Sequence, residues 1–361
     1  MDFFLPKLYS FSNLKKIRDN FLKELTCAST GDKNSLAFIR NPLPTLSLVK
    51  NNEIFQVMTI GGTVFDTALV KKQNSQIIIL ERRKINLPLF ENREIFLSFF
   101  EKYLSSQVRS VALNFAYALK PLIRKDVLDG KLINVSKEHK FKGLINKLVG
   151  REIEDYILSR SGRKIKVTLA NDTVCLILSG LTENKWQNLI GGIIGTGTNF
   201  SLFLDKNTIV NLESGRFDKF KQTNTGVLVD KNSLEKRKYF FEKEVSGAYL
   251  YQHYNLLKSD GEKISSTLEL TKLAEKGNQS AQKLLERSAS LIACQMAGIY
   301  LFKKSSLKFI MEGSLFWDGW QYKKMIEEYL VRLGIQEKNI DFIKIKDSAI
   351  IGPAFLVLQI N

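Results

Sequence analysis

Two glycine-rich segments of the sequence have the composition of phosphate-binding turns. Gly61-Gly62-Thr63 separates two apolar runs, and Gly195-Thr196-Gly197-Thr198-Asn199 does so again near the middle of the chain. Such turns expose backbone N–H groups and hydroxyls, and no Cβ obstructs an approaching anion. A single turn of this kind is more often only a tight connection between strands. Two turns at matched positions favour phosphate binding, and a facing pair would accommodate a triphosphate.

A candidate general base lies where a strand pattern changes into a helix pattern. The segment Ala170-Asn171-Asp172-Thr173-Val174 spans that change. A helix N-terminus stabilises an ionised carboxylate, and a general base needs that state. An Asx turn that caps the helix explains the same residues equally well.

Four polar residues have the chemistry of a sugar site. Amide and carboxylate groups at Asn171, Asn199, Glu213 and Glu242 would suit a ring of vicinal hydroxyls better than an apolar ligand. Glu213 has the simpler alternative of a loop acid. Glu242 has that of a solvated acid at a helix start.

The elements that must position these residues follow the order βββαβαβα twice. In the first half we expect strands at 53–60, 63–70, 76–80, 110–115 and 165–170, with helices at 93–104, at 141–159 and from residue 173. In the second half we expect strands at 189–195, 199–204, 208–212, 308–311 and 341–345, with helices at 238–257, 267–276, 280–303, 321–333 and 351–358. A helix over 13–26, capped by Ser12, and a proline-marked connector at 41–44 precede them. The order predicts a duplicated α/β architecture with partly parallel sheets and a ligand site in the crevice between the halves.

The composition excludes several classes of protein. The 361 residues are 44% hydrophobic and 25% charged, which is near the globular average and sufficient for two domains. No apolar run approaches the ~18 residues of a membrane span, and the N-terminus lacks a secretory pattern, so we expect a cytoplasmic protein without a membrane partner. Three cysteines and two histidines supply neither a disulfide framework nor a zinc cluster. The net charge of +17 is spread among acids without interleaved aromatic residues, so we expect no nucleic-acid partner.

The motifs follow one another in an order that resembles the hexokinase family of sugar kinases, within the actin-like ATPase superfamily. Residues 60–65 resemble the family's first phosphate motif and 194–199 its second, while 170–174 resemble its catalytic Asn-Asp-Thr-Val segment. The remaining likenesses are to the sugar loop at 132–137, two sugar-binding glutamate segments at 211–215 and 241–250, and the adenosine-site Asp-Gly-Thr at 312–314. The likeness covers nearly the whole chain.

The resemblance implies a duplicated actin-like ATPase fold, which is ribonuclease H-like, with two lobes around a cleft. The small lobe would comprise residues 52–175, and a C-terminal helix at 347–361 would return to it. The large lobe would comprise residues 1–51 and 176–346.

The resemblance also implies ATP-dependent phosphorylation of a hexose, glucose in the first place, at its 6-hydroxyl, with Mg²⁺ as cofactor. Asp172 would accept the hydroxyl proton, and Lys137 would lie beside the transferred group. The sugar would be bound by Ser136, Asn171, Asn199, Glu213 and Glu242. The nucleotide would be bound by Gly61, Gly62, Thr63, Gly195, Thr196, Gly197, Gly313 and Ser314.

The first phosphate motif departs from the family pattern at both ends. Thr59 stands where the family has a magnesium-orienting aspartate, and Asp66 stands where it has an arginine. Hairpin geometry predicts that Asp66 lies opposite or diagonal to Thr59, so we hypothesise that Asp66 supplies the missing magnesium-side charge. The departure also leaves a second hypothesis open, that the chain is a catalytically weak or silent sugar-binding sensor or scaffold.

Overall fold

The computed structural model describes residues 5–61, 63–73, 76–135, 139–258 and 263–358. The strands are β1 (Ile39–Pro42), β2 (Ile54–Ile60), β3 (Val64–Gln73), β4 (Gln76–Asn86), β5 (Ser110–Phe115), β6 (Ala118–Arg124), β7 (Val127–Asn134), β8 (Lys166–Ala170), β9 (Leu189–Ile194), β10 (Thr198–Asp205), β11 (Thr208–Asn211), β12 (Leu307–Glu312) and β13 (Ile340–Ile343). The helices are α1 (Phe11–Thr30), α2 (Arg93–Tyr103), α3 (Val149–Ser161), α4 (Asp172–Ser179), α5 (Asn224–Asn232), α6 (Phe240–Val245), α7 (Gly247–Leu257), α8 (Thr267–Glu275), α9 (Gln279–Lys303), α10 (Ser314–Asp318), α11 (Tyr322–Arg332) and α12 (Ser348–Ala354).

The contacts between residues divide the chain into two compact units. Unit 1 comprises Met1–Phe38, Gly192–Phe200 and Leu212–Lys344, and unit 2 comprises Ile39–Gly191, Ser201–Asn211 and Ile345–Asn361. The lobe boundaries expected from the resemblance stay a prediction.

Unit 2 contains a five-stranded mixed sheet in the order β4-β3-β2-β5-β8. The strands β2, β3 and β4 pair antiparallel, whereas β5 pairs parallel to both β2 and β8. Each strand alternates its side chains between the two faces of the sheet. The first phosphate hairpin is therefore formed by β2 and β3, as predicted, and its register pairs Thr59 with Asp66.

Alternation along β2 decides which helix each face of this sheet covers. Phe55 and Val57 pack in one apolar cluster with Ile350 and Ala354 of α12. Met58 and Ile60 pack on the opposite face, in a larger cluster formed with residues of α2 and α3. Because Thr59 shares the face of Phe55 and Val57, its hydroxyl meets α12.

Unit 1 is organised around the long helix α9, which is buried over most of its length. Helix α1 packs beside it, and a Cβ at Gly298 of α9 would lie 2.8 Å from the Phe21 ring of α1. Helix α1 begins after Ser10, whose side chain accepts a hydrogen bond from Asn13 N–H, and ends at Gly31 with φ of 87°. The other sheets are a six-stranded one, in the order β1-β11-β10-β9-β12-β13, and the β6–β7 pair.

Several predicted elements need correction. The helix expected at 141–159 begins only at Val149, since Phe141 and Asn146 have positive φ values of 42° and 66°, which an α-helix does not allow. The helix expected at 238–257 is two helices, because Ser246 is extended.

Other corrections concern strands and helix ends. Strand β4 continues six residues past the expected end at residue 80, and the first two residues of the connector at 41–44 belong to strand β1. The antiparallel pair β6–β7, inserted into the first βββαβαβα unit, was not predicted. Ser10 rather than Ser12 caps α1.

No helix in the described ranges combines the length and the apolar character that are needed to cross a bilayer.

Candidate active site

Asp172 is the first residue of α4, directly after strand β8. Its Oδ1 accepts hydrogen bonds from the backbone N–H of Thr173 at 2.8 Å and from the Thr173 hydroxyl at 3.3 Å. The side chain is half-buried, and among the described residues none donates to its Oδ2. One carboxylate oxygen is thus anchored while the other retains its acceptor capacity, as a general base requires.

Asn171 carries the capping role that was the alternative for its neighbour. Its Oδ1 accepts a hydrogen bond from Thr173 N–H at 3.1 Å and another from the Asn211 side-chain amide of β11 at 3.3 Å. Asn171 is thus the N-cap residue and shares the Thr173 N–H with Asp172, so the helix start does not depend on the Asp172 carboxylate alone.

The second glycine turn, residues 195–199 of unit 1, holds the carboxylate of Glu242. The Thr198 N–H donates to Glu242 Oε2 at 3.0 Å. A Cβ at Gly197 would lie 2.9 Å from the same oxygen, and a Cβ at Gly215 would lie 2.9 Å from Glu242 Cβ. The glycines therefore allow α6 to approach the turn closely, and Glu242 is fixed against it.

Asn199 and the segment after β11 complete this polar group. Asn199 Oδ1 accepts hydrogen bonds from the backbone N–H groups of Phe200, at 2.8 Å, and Ser214, at 3.2 Å. Glu213, the residue before Ser214, has φ of 50°, a left-handed conformation that is uncommon for a side-chain-bearing residue and often marks a functional position. Unit 1 thus brings the segments of Asn199, Glu213 and Glu242 together, while their role in binding a sugar stays a prediction.

Tyr239 shows the charge character of this polar group. Burial, together with the carboxylates of Glu213, Glu235 and Glu242, raises the pKa of Tyr239 to about 12, although Arg216 acts in the lowering direction. The Tyr239 phenol therefore lies within the electrostatic field of both Glu213 and Glu242. The site is therefore acidic, which favours hydroxyl ligands over anions.

A cavity of about 240 Å³ adjoins the second glycine turn within unit 1. Its lining is rich in hydroxyls and glycine, and includes Gly195, Thr196, Ser266, Thr267, Thr271 and Ser314. The turn is braced from one side, since Gly247 N–H donates to Gly195 O at 2.7 Å and Ala248 N–H donates to Thr196 O at 3.1 Å. Hydroxyl groups beside a glycine turn can donate hydrogen bonds to the oxygens of a ribose or a phosphate.

Gly313 packs against the end of β9, where the second glycine turn begins. A Cβ at Gly313 would lie 2.1 Å from Ile194 O, and the residue has φ of 110°. Glycine alone fits this position. The segment that resembles the family's Asp-Gly-Thr is therefore packed directly against the second phosphate motif.

The first glycine turn, in unit 2, is described at Gly61 and Thr63, while Gly62 lies outside the described residues. The nearest atom to a Cβ at Gly61 would be Val64 O at 4.0 Å. Thr63 is exposed. Space next to Gly61 is therefore available to an approaching group.

Asp66 is paired with a residue that the sequence analysis did not single out. Arg82 of β4 donates to Asp66 Oδ1 from Nε at 2.9 Å and to Oδ2 from Nη2 at 2.6 Å. The same guanidinium also pairs with Asp347, and Thr59 Oγ1 donates to Ala349 O at 2.6 Å. These contacts tie β2, β3 and β4 to the start of α12, and the Asp66 hydrogen bond is the main cause of the raised pKa of Arg82.

This pairing bears on the magnesium hypothesis. Both Asp66 oxygens already accept from a cation, and a magnesium ion prefers free carboxylate oxygen and water. Within the described ranges, no group of three or more histidine, cysteine, aspartate or glutamate side chains could hold a metal ion. The residues around Asp66 therefore do not fit a magnesium site, and the role assigned to Asp66 stays a prediction.

Some site residues lie outside the described part of the chain or were missed by sequence reasoning. Ser136 and Lys137 fall outside the described residues. Sequence reasoning missed Arg82 because it belongs to a run of three basic residues, 82–84, and because its partner Asp347 is far away in sequence. Ser266 and Thr267 were missed as cavity residues, although Ser266 caps α8 with Glu269 in a recognisable Ser-x-x-Glu pattern.

Known proteins resemble this chain in sequence and in fold. The family model described as Hexokinase matches residues 261–359. Hexokinase-7 of Oryza sativa subsp. japonica is 25% identical over 231 residues, which are 55% of this chain and 49% of that protein. Hexokinase-like 1 protein of Arabidopsis thaliana is 25% identical over 279 residues, 68% of this chain and 55% of that protein. The chain thus spans about half the length of the curated relatives that it matches.

The structural comparison covers almost the whole chain. A hexokinase from Schistosoma mansoni, solved in complex with glucose, matches with a TM-score of 0.75 at 16% identity, over 97% of this chain and 95% of that one. This agreement confirms the predicted α/β fold of the actin-like ATPase class. The ordered motifs, the family match over the C-terminal part of the chain and the shared fold thus all make the chain similar to the hexokinase family.

Proposed function

We propose that the chain is an ATP-dependent hexokinase that phosphorylates a hexose, glucose in the first place, at its 6-hydroxyl. The observation that carries the proposal is the state of Asp172, whose Oδ1 is anchored on Thr173 while Oδ2 accepts from no described residue. A general base needs a fixed carboxylate with one acceptor oxygen still available. The resemblance to the hexokinase family supplies the substrates, and the solved relative with bound glucose makes that sugar the first to test.

The proposed reaction is a direct phosphoryl transfer from MgATP. Asp172 accepts the proton of the sugar hydroxyl while that oxygen attacks the γ-phosphorus, and the bond to the β,γ-bridging oxygen breaks to release ADP. Such a transfer asks the protein mainly for positioning and for charge stabilisation. Magnesium enters as part of the nucleotide substrate, held by phosphate oxygens.

Each unit by itself has proposed roles of its own. In unit 1, Asn199, Glu213 and Glu242 bind ring hydroxyls, and the cavity beside Thr196 and Ser314 receives the nucleotide. In unit 2, Asn171 binds the sugar beside Asp172, and the turn at Gly61 to Thr63 contributes phosphate contacts. The roles of Ser136, beside the sugar, and Lys137, beside the transferred group, rest on the resemblance alone.

A direct test replaces Asp172 by asparagine, which preserves shape and removes the base. We expect kcat to fall by about 10²–10⁴-fold, the usual contribution of a general base, while glucose affinity by calorimetry changes little. The matched control is Asp205→Asn, which removes an exposed carboxylate that accepts from Asn207 N–H at 2.8 Å. A wild-type chain that turns over no pair of hexose and nucleotide, or an Asp172→Asn variant with unchanged kcat, contradicts the proposal.

A second function is favoured by the first phosphate hairpin. Thr59 has no charge, and Asp66 is neutralised by Arg82. A sugar-binding sensor or scaffold with weak or no turnover would have this pattern. Calorimetry separates the two functions, because the sensor binds sugar without appreciable binding of MgATP.

A further inference from the structure

A network of buried charges lies next to Glu242 and has no part in the proposed chemistry. The short helix α6 carries three consecutive charged residues, Glu242, Lys243 and Glu244. Glu242 is half-buried at the second glycine turn, whereas Lys243 and Glu244 each have 0% exposure. Burial of two full charges is costly, so their partners decide what they do.

Lys243 is bound to the last turn of α5 and to the loop that connects α5 to α6. Its Nζ donates to Asp230 Oδ1 at 2.6 Å and to Glu235 O at 2.6 Å. The two oxygens of Asp230 also accept from Arg237 N–H, at 3.0 and 3.1 Å. The ion pair therefore fixes one flank of α6 to residues 230–237.

Glu244 is bound to a different part of unit 1. Its Oε1 accepts from Thr223 N–H at 2.7 Å, and its Oε2 lies 3.6 Å from Arg287 Nη2 of α9. A Cβ at Gly226 would lie 1.9 Å from Glu244 Oε1, so the close approach of this carboxylate depends on a glycine. The second flank of α6 is thereby fixed to α5 and α9.

His253 of α7 joins the two flanks. Its Nε2 lies 2.8 Å from Lys243 O, which can only accept, so Nε2 carries the proton. Its Nδ1 then accepts from the Thr225 hydroxyl at 2.7 Å and from Arg287 Nη2 at 3.2 Å. Burial lowers the pKa of His253, in agreement with this neutral ring.

The helix itself cannot fix its own orientation. Six residues are well below the ~12–15 that an isolated helix needs, and no side chain caps its start at Tyr239, which has φ of 52°. Buried ion pairs add little net stability compared with apolar packing, but they fix geometry. The rotation of α6, and with it the direction of Glu242, is therefore fixed by Lys243 and Glu244 in addition to the buried side chains of Phe241 and Val245.

We propose that Lys243 and Glu244, held by Asp230, Arg287 and His253, are positioning residues that aim Glu242 at the sugar. The inference rests on the proposed function, since it takes Glu242 as a sugar ligand. It predicts a specific kinetic pattern. Loosening the network weakens sugar binding, while MgATP binding and saturated turnover change little.

The test compares Glu244→Gln and Thr225→Val with the wild-type chain. Glu244→Gln removes the charge at constant shape, and Thr225→Val removes the hydroxyl donated to His253. We expect the glucose Kd from calorimetry, and the glucose KM, to rise about tenfold, because loosening one hydrogen bond of ~1.4 kcal/mol has that effect. The MgATP KM and kcat at saturating glucose should stay within about threefold.

The matched control is Glu286→Gln, on the same helix as Arg287, where the carboxylate accepts from Tyr329 Oη at 2.8 Å. This control should lower the free energy of unfolding without changing glucose Kd. If Glu244→Gln does not fold, Thr225→Val decides the question. Folded variants with wild-type glucose Kd overturn the inference. A wild-type chain that shows no glucose binding overturns instead the proposed function on which it rests.

Discussion

The two glycine-rich turns have similar sequences but different surroundings. At the second turn, the protein itself fills the space that the missing side chains leave. A Cβ at Gly197 would lie 2.9 Å from Glu242 Oε2, and a Cβ at Gly313 would lie 2.1 Å from Ile194 O. At the first turn, a Cβ at Gly61 would have its nearest neighbour at 4.0 Å.

This difference separates two reasons for a glycine. The glycines of the second turn are required by packing within unit 1, whatever ligand binds there. Gly61 is not required by any such contact, so its small size is better explained by an approaching ligand. Open space around a glycine is therefore stronger evidence for phosphate binding than the glycine motif itself.

The carboxylates beside the two turns also differ. Glu242 accepts from the Thr198 N–H, a neutral donor that leaves its negative charge in place. Asp66 is paired with a guanidinium, which cancels the charge. The first hairpin thus has an ion pair with a structural role, whereas the hexokinase family has a metal-orienting acid in this motif.

The largest effect that we expect comes from Gly313→Ala. The new Cβ would clash with Ile194 O, and the φ of 110° is strained for alanine. We expect the free energy of unfolding to fall by about 2–5 kcal/mol, measured by urea denaturation. A loss below about 1 kcal/mol would contradict the tight packing of the second turn relative to the first.

Breaking the ion pairs of Arg82 with Asp66 and Asp347 should give the next largest effect. Arg82→Met leaves Asp66, only 4% exposed at its side chain, without its cation. We expect a loss of about 1–3 kcal/mol in unfolding free energy, less than for a fully buried pair because Arg82 is 32% exposed.

A double variant separates the loss of the Arg82–Asp66 ion pair from other destabilising effects of the substitution. Arg82→Met with Asp66→Asn removes both charges, and we expect it to recover part of the loss, which a double-mutant cycle measures. The single variant Asp66→Asn should leave the magnesium dependence of phosphorylation unchanged. A changed magnesium dependence would support the magnesium hypothesis. Full additivity of the two substitutions would contradict a stabilising ion pair between Arg82 and Asp66.

A pH effect follows from the buried imidazole of unit 1. Burial lowers the pKa of His253, so the unfolded chain, with a histidine pKa of about 6.5, binds a proton that the folded chain rejects. Stability is therefore complete above pH ~6.5 and decreases as the pH falls below it, by up to about 1.4 kcal/mol per pH unit.

The comparison variant is His253→Gln, whose unfolding free energy should fall less between pH 7 and 5.5. The groups that face the ring are Thr225, Glu244 and Arg287, together with the Lys243 carbonyl. Equal slopes for the two proteins would mean that His253 does not titrate as described.

The smallest effect on stability should come from Gly61→Ala. With free space around the new Cβ, we expect the unfolding free energy to change by less than about 0.5 kcal/mol. The MgATP KM should nevertheless rise about tenfold, because a methyl group would displace a phosphate from its contact position. An unchanged nucleotide KM would remove the first turn from the proposed site.

The sequence by itself determined the local elements and the segments of the site. Helical periodicity indicated α1 and α9, and alternation with glycine turns indicated the β2–β3 hairpin. Asn171-Asp172 was located at a strand-to-helix boundary. These features depend on neighbours within a few residues, so a linear pattern contains them.

Only the tertiary structure decided which partners the charged residues have. The pairing of Arg82 with Asp66 and Asp347, and that of Glu244 with Arg287, join residues between 16 and 265 positions apart. The break at Ser246 and the inserted β6–β7 pair likewise follow from long-range packing. Whether a carboxylate is neutralised or kept available is set by such distant contacts, because electrostatic and burial energies depend on distance in space rather than along the chain.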